Sequence, residues 1–331
     1  MTARNKQVLL ASRPQGPVTE ENFRIVEAPV AAPATGEALV KNEWLSLDPY
    51  MRGRMSEAKS YVPPVPIGEV MVGQTVGEVV ESQDPRFKPG DKVLTQLGWQ
   101  LYGVAKSSEL TPIDIKRAPA SYYLGLLGMP GITAWFGLSE IGQPKAGETV
   151  LVSAASGAVG SVVGQLAKIK GCRAVGIAGG KAKCDYVVQG LGFDACVDYK
   201  AGSLLDDLRQ ACPKGVDVDF ENVGGEILDT SLRLMNRFSR IVVCGLIAEY
   251  SAPYGYKALR SLLVNRIKMQ GMIVFDWKDR YGEALEALVR YHAEGKLKYR
   301  ESVVHGIDNA PKGLIALLKG ENFGKQLVKL D

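Results

Sequence analysis

The run Val150-Leu151-Val152-Ser153-Ala154-Ala155-Ser156-Gly157-Ala158-Val159-Gly160 constrains the fold more than any other part of the chain. A short apolar strand runs into a turn of small residues, and a helix, expected from Ser161 to Lys170, follows at once. The spacing is A-x-G-x-x-G, a relaxed form of the dinucleotide fingerprint. In such a turn Gly157 admits the close approach of a pyrophosphate and Gly160 lets the helix pack against the strand. The amides at the helix N-terminus then face negative charge. Small residues also fill ordinary strand–helix turns, so this run alone leaves both readings open.

A second strand, Arg173 to Ala178, ends in Gly179-Gly180-Lys181-Ala182-Lys183. An NAD-preferring site would place Asp or Glu there to accept a hydrogen bond from the ribose 2′-hydroxyl. Two ammonium groups and no carboxylate suit a 2′-phosphate, and therefore NADP(H). One charge-assisted hydrogen bond is worth ~1.5–3 kcal/mol, enough for a roughly ten- to hundredfold preference. The alternative is a solvated Gly-Lys loop.

Before residue 126 the texture is short extended runs separated by turn residues. Gln7–Leu10, Ala38–Lys41, Val70–Val72, Gly77–Val80 and Lys92–Thr95 are strand candidates, and the spacing predicts a barrel-like β domain. From about Met129 strands alternate with helical patterns. Further strand candidates are Ala195–Asp198, Val216–Phe220, Ile241–Cys244 and Ile267–Gln270, followed by a helix from Tyr281 to Glu294 and an extended stretch from Glu301 to Val304. This alternation predicts an α/β fold with a doubly wound parallel sheet of Rossmann type. Gly192-Phe193 and Asn222-Val223-Gly224-Gly225 are expected in turns at the sheet's carboxyl edge, where a cofactor binds.

The 331 residues allow two domains with ample core, and 46% hydrophobic with 23% charged residues is ordinary for a globular chain. A net charge of +4, without long charge runs, gives nucleic acid no footprint. No apolar window is long enough to span a bilayer, and no signal peptide is evident. Five scattered cysteines fit reduced thiols in the cytoplasm. Only two histidines, His292 and His305, occur, both late in the chain and in helix- and strand-end contexts. That scarcity argues against catalytic zinc and against a Ser-His-Asp arrangement, so no metal is expected.

Four further runs occur in order along the chain. They are Leu45-Ser46-Leu47-Asp48-Pro49-Tyr50-Met51-Arg52-Gly53-Arg54-Met55, Leu127-Gly128-Met129-Pro130-Gly131-Ile132-Thr133-Ala134-Trp135, Glu221-Asn222-Val223-Gly224-Gly225 and Gly320-Glu321-Asn322-Phe323-Gly324-Lys325. With them the whole chain resembles the zinc-free alkenal and prostaglandin reductases of the medium-chain dehydrogenase/reductase superfamily, and within these the bacterial NADPH-dependent curcumin or 2-alkenal reductases.

The resemblance implies a discontinuous β-rich, GroES-like substrate domain (residues 1–126 and 296–331) and an NADP-binding Rossmann domain (residues 127–295). It implies NADPH-dependent reduction of the C=C bond of an enal or enone, with hydride going to the β-carbon and a proton to the α-carbon. A small-molecule substrate and a homodimer are implied as well. Matched to cofactor contacts are Met129, Thr133, Ser156, Gly157, Ala158, Val159, Lys183, Tyr199 and Asn222. The runs Cys244-Gly245-Leu246-Ile247, continuing to Tyr250, and Met272-Ile273-Val274, together with Asn322, complete that set. Thr133 is expected to open a helix after Met129-Pro130-Gly131.

Tyr50 and Tyr250 are the candidate donors to the developing enolate, because a phenol stays protonated at neutral pH. Some family members carry a tyrosine where this chain has Val264, so Tyr50, Tyr250, a cofactor hydroxyl or solvent remains open as the proton source. A zinc-free quinone reductase and a non-catalytic NADPH-binding protein are the alternative functions.

Overall fold

The computed structural model describes residues 4–250 and 252–330. Extended runs of the N-terminal part form β1 (Arg4–Leu10), β2 (Phe23–Pro29) and β3 (Glu37–Ser46). A single helical turn, α1 (Tyr50–Arg54), precedes β4 (Thr75–Ser82), β5 (Lys92–Thr95), β6 (Tyr102–Lys106) and β7 (Thr111–Pro112). Alternation then begins with α2 (Met129–Phe136), β8 (Thr149–Val152), α3 (Gly160–Ile169), β9 (Arg173–Ala178), α4 (Lys181–Asp185) and β10 (Ala195–Asp198). It continues through α5 (Leu204–Ala211), β11 (Val216–Glu221), α6 (Gly225–Ser231), β12 (Met235–Val243), α7 (Arg260–Asn265), β13 (Lys268–Gly271) and α8 (Tyr281–Ala293). The chain closes with β14 (Glu301–His305), α9 (Ala310–Leu318) and β15 (Lys325–Lys329).

Two compact units result: residues up to 125 with those from 301 onward, and residues 126–300. In the first unit the strand order is β14-β15-β3-β4-β5-β7, with β6 also on β3 and β1-β2 as a separate antiparallel pair. The returning strand β15 is antiparallel to β3, with Leu327 opposite Ser46. Its main core gathers Leu10, Leu45, Leu47, Met51, Met55 and Met71 around Trp99, whose ring stacks on Phe23 at 5.4 Å. Val70–Val72 does not form the strand expected of it. Val70 makes one isolated bridge to Leu9, and Met71 turns into the core. The Met71 amide still donates to the Val8 carbonyl at 2.9 Å and the Met71 carbonyl accepts the Trp99 amide at 2.8 Å, so pairing is local and does not extend into a strand.

The second unit is a six-stranded sheet in the order β10-β9-β8-β11-β12-β13, with every pairing parallel. That is the 3-2-1-4-5-6 order of a doubly wound dinucleotide-binding sheet. All of β8 is buried, as expected when helices cover both faces. Residues 296–300, expected with the β-rich part, belong to this unit. Lys298 accepts from Gln165 Nε2 at 2.9 Å and donates to Gln165 Oε1 at 2.7 Å, which pins the segment to α3.

Gly192-Phe193 does not lie at the carboxyl edge. A residue preceding a parallel strand sits at the amino edge, and Phe193 is buried there beneath α3. A Cβ on Gly164 would come within 1.8 Å of the Phe193 ring, so this glycine sets the distance between helix and ring. Gly164→Val is expected to lower stability by about 1–3 kcal/mol through overpacking. A urea midpoint equal to wild type would refute that account.

Candidate active site

In the second unit the strand order reverses between β8 and β11, and the crevice outside the carboxyl ends of such strands is where a doubly wound sheet binds its ligand. Register places Val152 beside Phe220, so Ser153 and Glu221-Asn222 leave the sheet together. Ser153 Oγ donates to Glu221 Oε1 at 2.7 Å and accepts the Asn222 amide at 2.7 Å. Asn222 Nδ2 returns to the Ser153 carbonyl at 2.8 Å. Glu221 Oε1 also accepts the Val223 and Gly224 amides. The Glu221 carbonyl takes the Cys244 amide at 2.8 Å and the Gly245 amide at 3.2 Å, which ties in the end of β12. One buried side-chain network therefore holds three successive strand ends.

Ser156, Gly157, Ala158 and Val159 form the turn from β8 into α3. Ala154 adopts φ +49°, and its carbonyl accepts the Gly157 amide at 2.9 Å. A Cβ on Gly160 would lie 2.5 Å from that oxygen, so the turn closes only with glycine there. At Gly157 the same oxygen, at 3.1 Å, is the one close neighbour, and the remaining space is open. The fingerprint's division of labour thus has a steric basis. Gly160 serves the fold, whereas Gly157 leaves room beside the N-terminus of α3.

Beyond β9 the two lysines separate. Lys181 is exposed and paired with Asp185 at 2.6 Å. Lys183 is half-buried, and burial followed by the charge of Lys200 lowers its pKa. The residues that follow β9 are Gly179 and Gly180 rather than an acid, and the carboxylate at this turn, Asp198 from the end of β10, accepts the Gly180 amide at 2.8 Å. Tyr199 follows β10 and is 44% exposed, with its ring edge against Gly179. This donor set matches a ribose phosphate better than a ribose diol.

The remaining expected cofactor residues spread over several elements. Met129 is the first residue of α2, packed among Ile132, Phe136 and Val274. Thr133 does not open that helix. It is buried inside α2, because Pro130 suits the first turn and starts the helix earlier. Cys244, Gly245, Leu246 and Ile247 follow β12, and Tyr250 comes after a helical turn at Ile247–Glu249. Cys244 is thus beyond its strand, and burial with the Glu221 charge pushes its thiol up to about 12.

After β13, the Met272 amide donates to the Val243 carbonyl at 3.1 Å, and Met272 and Val274 are buried with Ile273 between them. The loop after Tyr250 carries Tyr256, whose hydroxyl donates to Glu249. Val264 is exposed on α7. His292 lies in α8 with Nδ1 at 3.1 Å from the Leu297 carbonyl.

Tyr50 and Asn322 belong to the first unit. Tyr50 opens α1 directly after Asp48-Pro49 and is half-buried. Burial and the Asp48 charge raise its pKa well above the ordinary phenol value, so it stays protonated. Asp48 is itself fixed: Lys325 Nζ donates to Asp48 Oδ1 at 2.6 Å and to the Leu47 carbonyl at 2.8 Å, and Ser46 Oγ donates to Asp48 Oδ2. Both partners of this ion pair are buried. Asn322 Nδ2 caps its own loop through the Gly324 carbonyl at 2.7 Å.

Sequence reasoning missed Ser153, Glu221, Asp198 and Lys325. The available signal was acidic residues at Asp217, Asp219 and Glu221 in a strand otherwise apolar enough to be buried on both faces.

The fold and this carboxyl-edge arrangement define a dinucleotide-binding oxidoreductase with a separate β-rich unit. Residues 6–113 match the family described as N-terminal domain of oxidoreductase, and residues 158–290 match the one described as zinc-binding dehydrogenase. The NADPH-dependent curcumin reductase of Escherichia coli is 48% identical, over 99% of this chain and 97% of that protein. The NADP-dependent 2-alkenal reductase of Nicotiana tabacum is 42% identical, over 99% and 98%. The crystal structure of CurA in complex with NADPH from Vibrio vulnificus superposes with a TM-score of 0.94 at 48% identity, covering 98% of this chain and 99% of that one. The chain belongs to the medium-chain dehydrogenase/reductase family, in its alkenal and prostaglandin reductase branch.

The zinc implied by one of those family descriptions has no matching donor set. Among the described residues no group of three or more His, Cys, Asp or Glu side chains converges.

Asp219 and Glu221 are both buried, with Asp219 Oδ1 and Glu221 Oε2 lacking hydrogen-bond partners. Burial, and for Asp219 also the Glu221 charge, raises both carboxyls above their ordinary values. A carboxyl whose folded pKa is raised holds its proton longer than in the unfolded chain. Its contribution is therefore greatest below the unfolded value and falls as pH rises toward the folded one. Asp219→Asn keeps an acceptor for Ser231 Oγ, which donates to Asp219 Oδ2 at 2.5 Å. The variant is expected to lose less stability than wild type as pH rises above the unfolded carboxyl value of about 4. Parallel pH–stability curves from urea denaturation would contradict this.

Proposed function

We propose that this protein reduces the carbon–carbon double bond of α,β-unsaturated aldehydes and ketones with NADPH, without a metal. The observation that carries the reading is the carboxyl-edge site itself. A glycine turn leads into α3, Gly179 and Gly180 rather than an acid follow β9, and a half-buried Lys183 comes next, which supports a 2′-phosphate as its partner. The 48% identity to a curcumin reductase over nearly its whole length supports the same chemistry.

NADPH, when bound, supplies the hydride that goes to the β-carbon. This chain's residues do the rest. The amides that begin α3, with Ser156 through Val159, receive the pyrophosphate. Lys183 and Tyr199 take the phosphorylated ribose. Met129, Thr133, Asn222, Cys244 to Ile247 and Met272 to Val274 hold the remainder of the dinucleotide. Charge then grows on the substrate oxygen, and a fixed, protonated phenol is suited to receive it. Tyr50 is that donor, backed by Asp48 and the buried Lys325. A single well-placed donor is worth roughly 10²–10³ in rate. Tyr250 is the second proton source, since Val264 offers none.

The β-rich unit then serves the substrate and the parallel-sheet unit the cofactor. All five cysteines are free thiols, which supports a reducing, cytoplasmic setting that cell fractionation would check. No helix among the described residues is long and apolar enough to cross a membrane.

Purified protein is expected to oxidise NADPH in the presence of 2-nonenal or curcumin, and no turnover across a broad enone panel would overturn the reading. Tyr50→Phe should lower kcat by roughly 10²–10³ while NADPH affinity persists. A wild-type kcat would remove Tyr50 from the chemistry.

A homodimer is supported by β13, an edge strand exposed at every residue and flanked by exposed Leu263 and Phe275. Such an edge satisfies its free backbone groups by pairing with its own copy about a two-fold axis. Sedimentation should give a dimer that Met269→Lys weakens, and a monomeric wild type would rule this interface out.

A further inference from the structure

Lys200 has no place in the site described so far. It leaves β10, the strand at one edge of the parallel sheet, and register sets Asp198 beside Ala178. The segments leaving β9 and β10 therefore run side by side. One carboxylate ties them together: Asp198 Oδ1 accepts the Gly180 amide at 2.8 Å and the Lys200 amide at 3.0 Å. Gly179 completes the contact. A Cβ there would come within 2.9 Å of Lys200 Cε and 2.8 Å of Tyr199 Cε1, so glycine lets the lysine stem and the tyrosine ring lie on the turn. Lys200 Nζ stands 5.8 Å from the centroid of the Tyr199 ring.

The charges at this turn have the same sign. Burial first, and then the charge of Lys200, lower the pKa of Lys183, so the Lys200 ammonium is felt across the turn. Asp198 is held by backbone amides and Asp185 pairs with Lys181. Bringing two cations together costs free energy unless a dianion joins them, and a phosphate monoester near neutral pH carries close to two charges and three acceptor oxygens.

We propose that Lys200 is a second cation for the ribose 2′-phosphate and, with Lys183, sets the preference for NADPH over NADH. The inference rests on the reading that the turn after β9 receives that phosphate. Asp198 and Gly179 act as the frame that keeps both lysines on one side of it.

The test is calorimetry on the full chain with adenosine 2′,5′-bisphosphate and with adenosine 5′-monophosphate, for wild type, Lys200→Met, Lys200→Arg and Lys183→Met. Lys200→Met keeps the aliphatic stem and is expected to weaken the bisphosphate about three- to tenfold while leaving the monophosphate unchanged. Lys200→Arg should restore most of the loss, and the salt dependence of bisphosphate binding should be shallower in the methionine variant. Wild-type bisphosphate affinity in Lys200→Met, alongside a loss in Lys183→Met, would remove Lys200 from the site and leave the phosphate reading standing. Equal losses for both nucleotides would also overturn the assignment. A wild type that fails to distinguish the two nucleotides would overturn the phosphate reading and this inference together.

Discussion

Ser153 Oγ, between Glu221 and the Asn222 amide, is the contact on which the carboxyl edge of the parallel sheet depends. Strands β8 and β11 are neighbours only because the strand order reverses there, and nothing in the local chain keeps their ends level. A hydroxyl that donates to one strand's carboxyl and accepts the next residue's amide fixes that level. Asn222 adds a bond back to Ser153, and the Glu221 carbonyl recruits the start of the Cys244 run. The glycine turn and the Asn222 and Cys244 turns therefore stand in a defined relation before any nucleotide arrives. Preorganisation of this kind lowers the ordering cost of binding.

The network is expensive in isolation. Glu221 and Asp219 lie in a sheet covered on both faces, where an ionised carboxylate would lose its hydration. Burial therefore raises both carboxyls above their ordinary values, and Glu221 Oε1 is met by donors from Ser153, Val223 and Gly224. The first unit solves a related problem differently. There Lys325 and Asp48 are buried as an ion pair with added bonds from Ser46 and to Leu47. Such a pair contributes little net stability against an apolar replacement, yet leaving either partner alone is costly. Its physical consequence is a rigid Asp48-Pro49 corner from which α1 and Tyr50 begin.

Much of this architecture was readable in advance. The alternation of apolar strands and helices after Met129 predicted the parallel sheet, because strand periodicity and burial are local properties of the chain. Most of the strand candidates formed, within a few residues. Thr133 and Gly192-Phe193 were misplaced for identifiable reasons. Pro130 moves the helix start earlier, and a position before a parallel strand belongs to the opposite edge of the sheet from the one expected. Val70–Val72 had the composition of a strand, but its pairing stops at one bridge to Leu9 and the bonds of Met71 to Val8 and Trp99.

The amino-acid sequence by itself determined the strand–turn–helix with its two differently employed glycines, the missing acid after the second strand and the lysines in its place. These are statements about neighbours in the chain, and backbone sterics and charge act at that range. Tertiary structure decided which lysine is exposed and which is half-buried, and that the Lys200 stem lies on the Gly179 turn. It also decided that Ser153, separated in sequence from Glu221, meets it in the core, and that Lys325 reaches back to Asp48. Those pairings arise from strand order and register, which the local pattern of residue types leaves free.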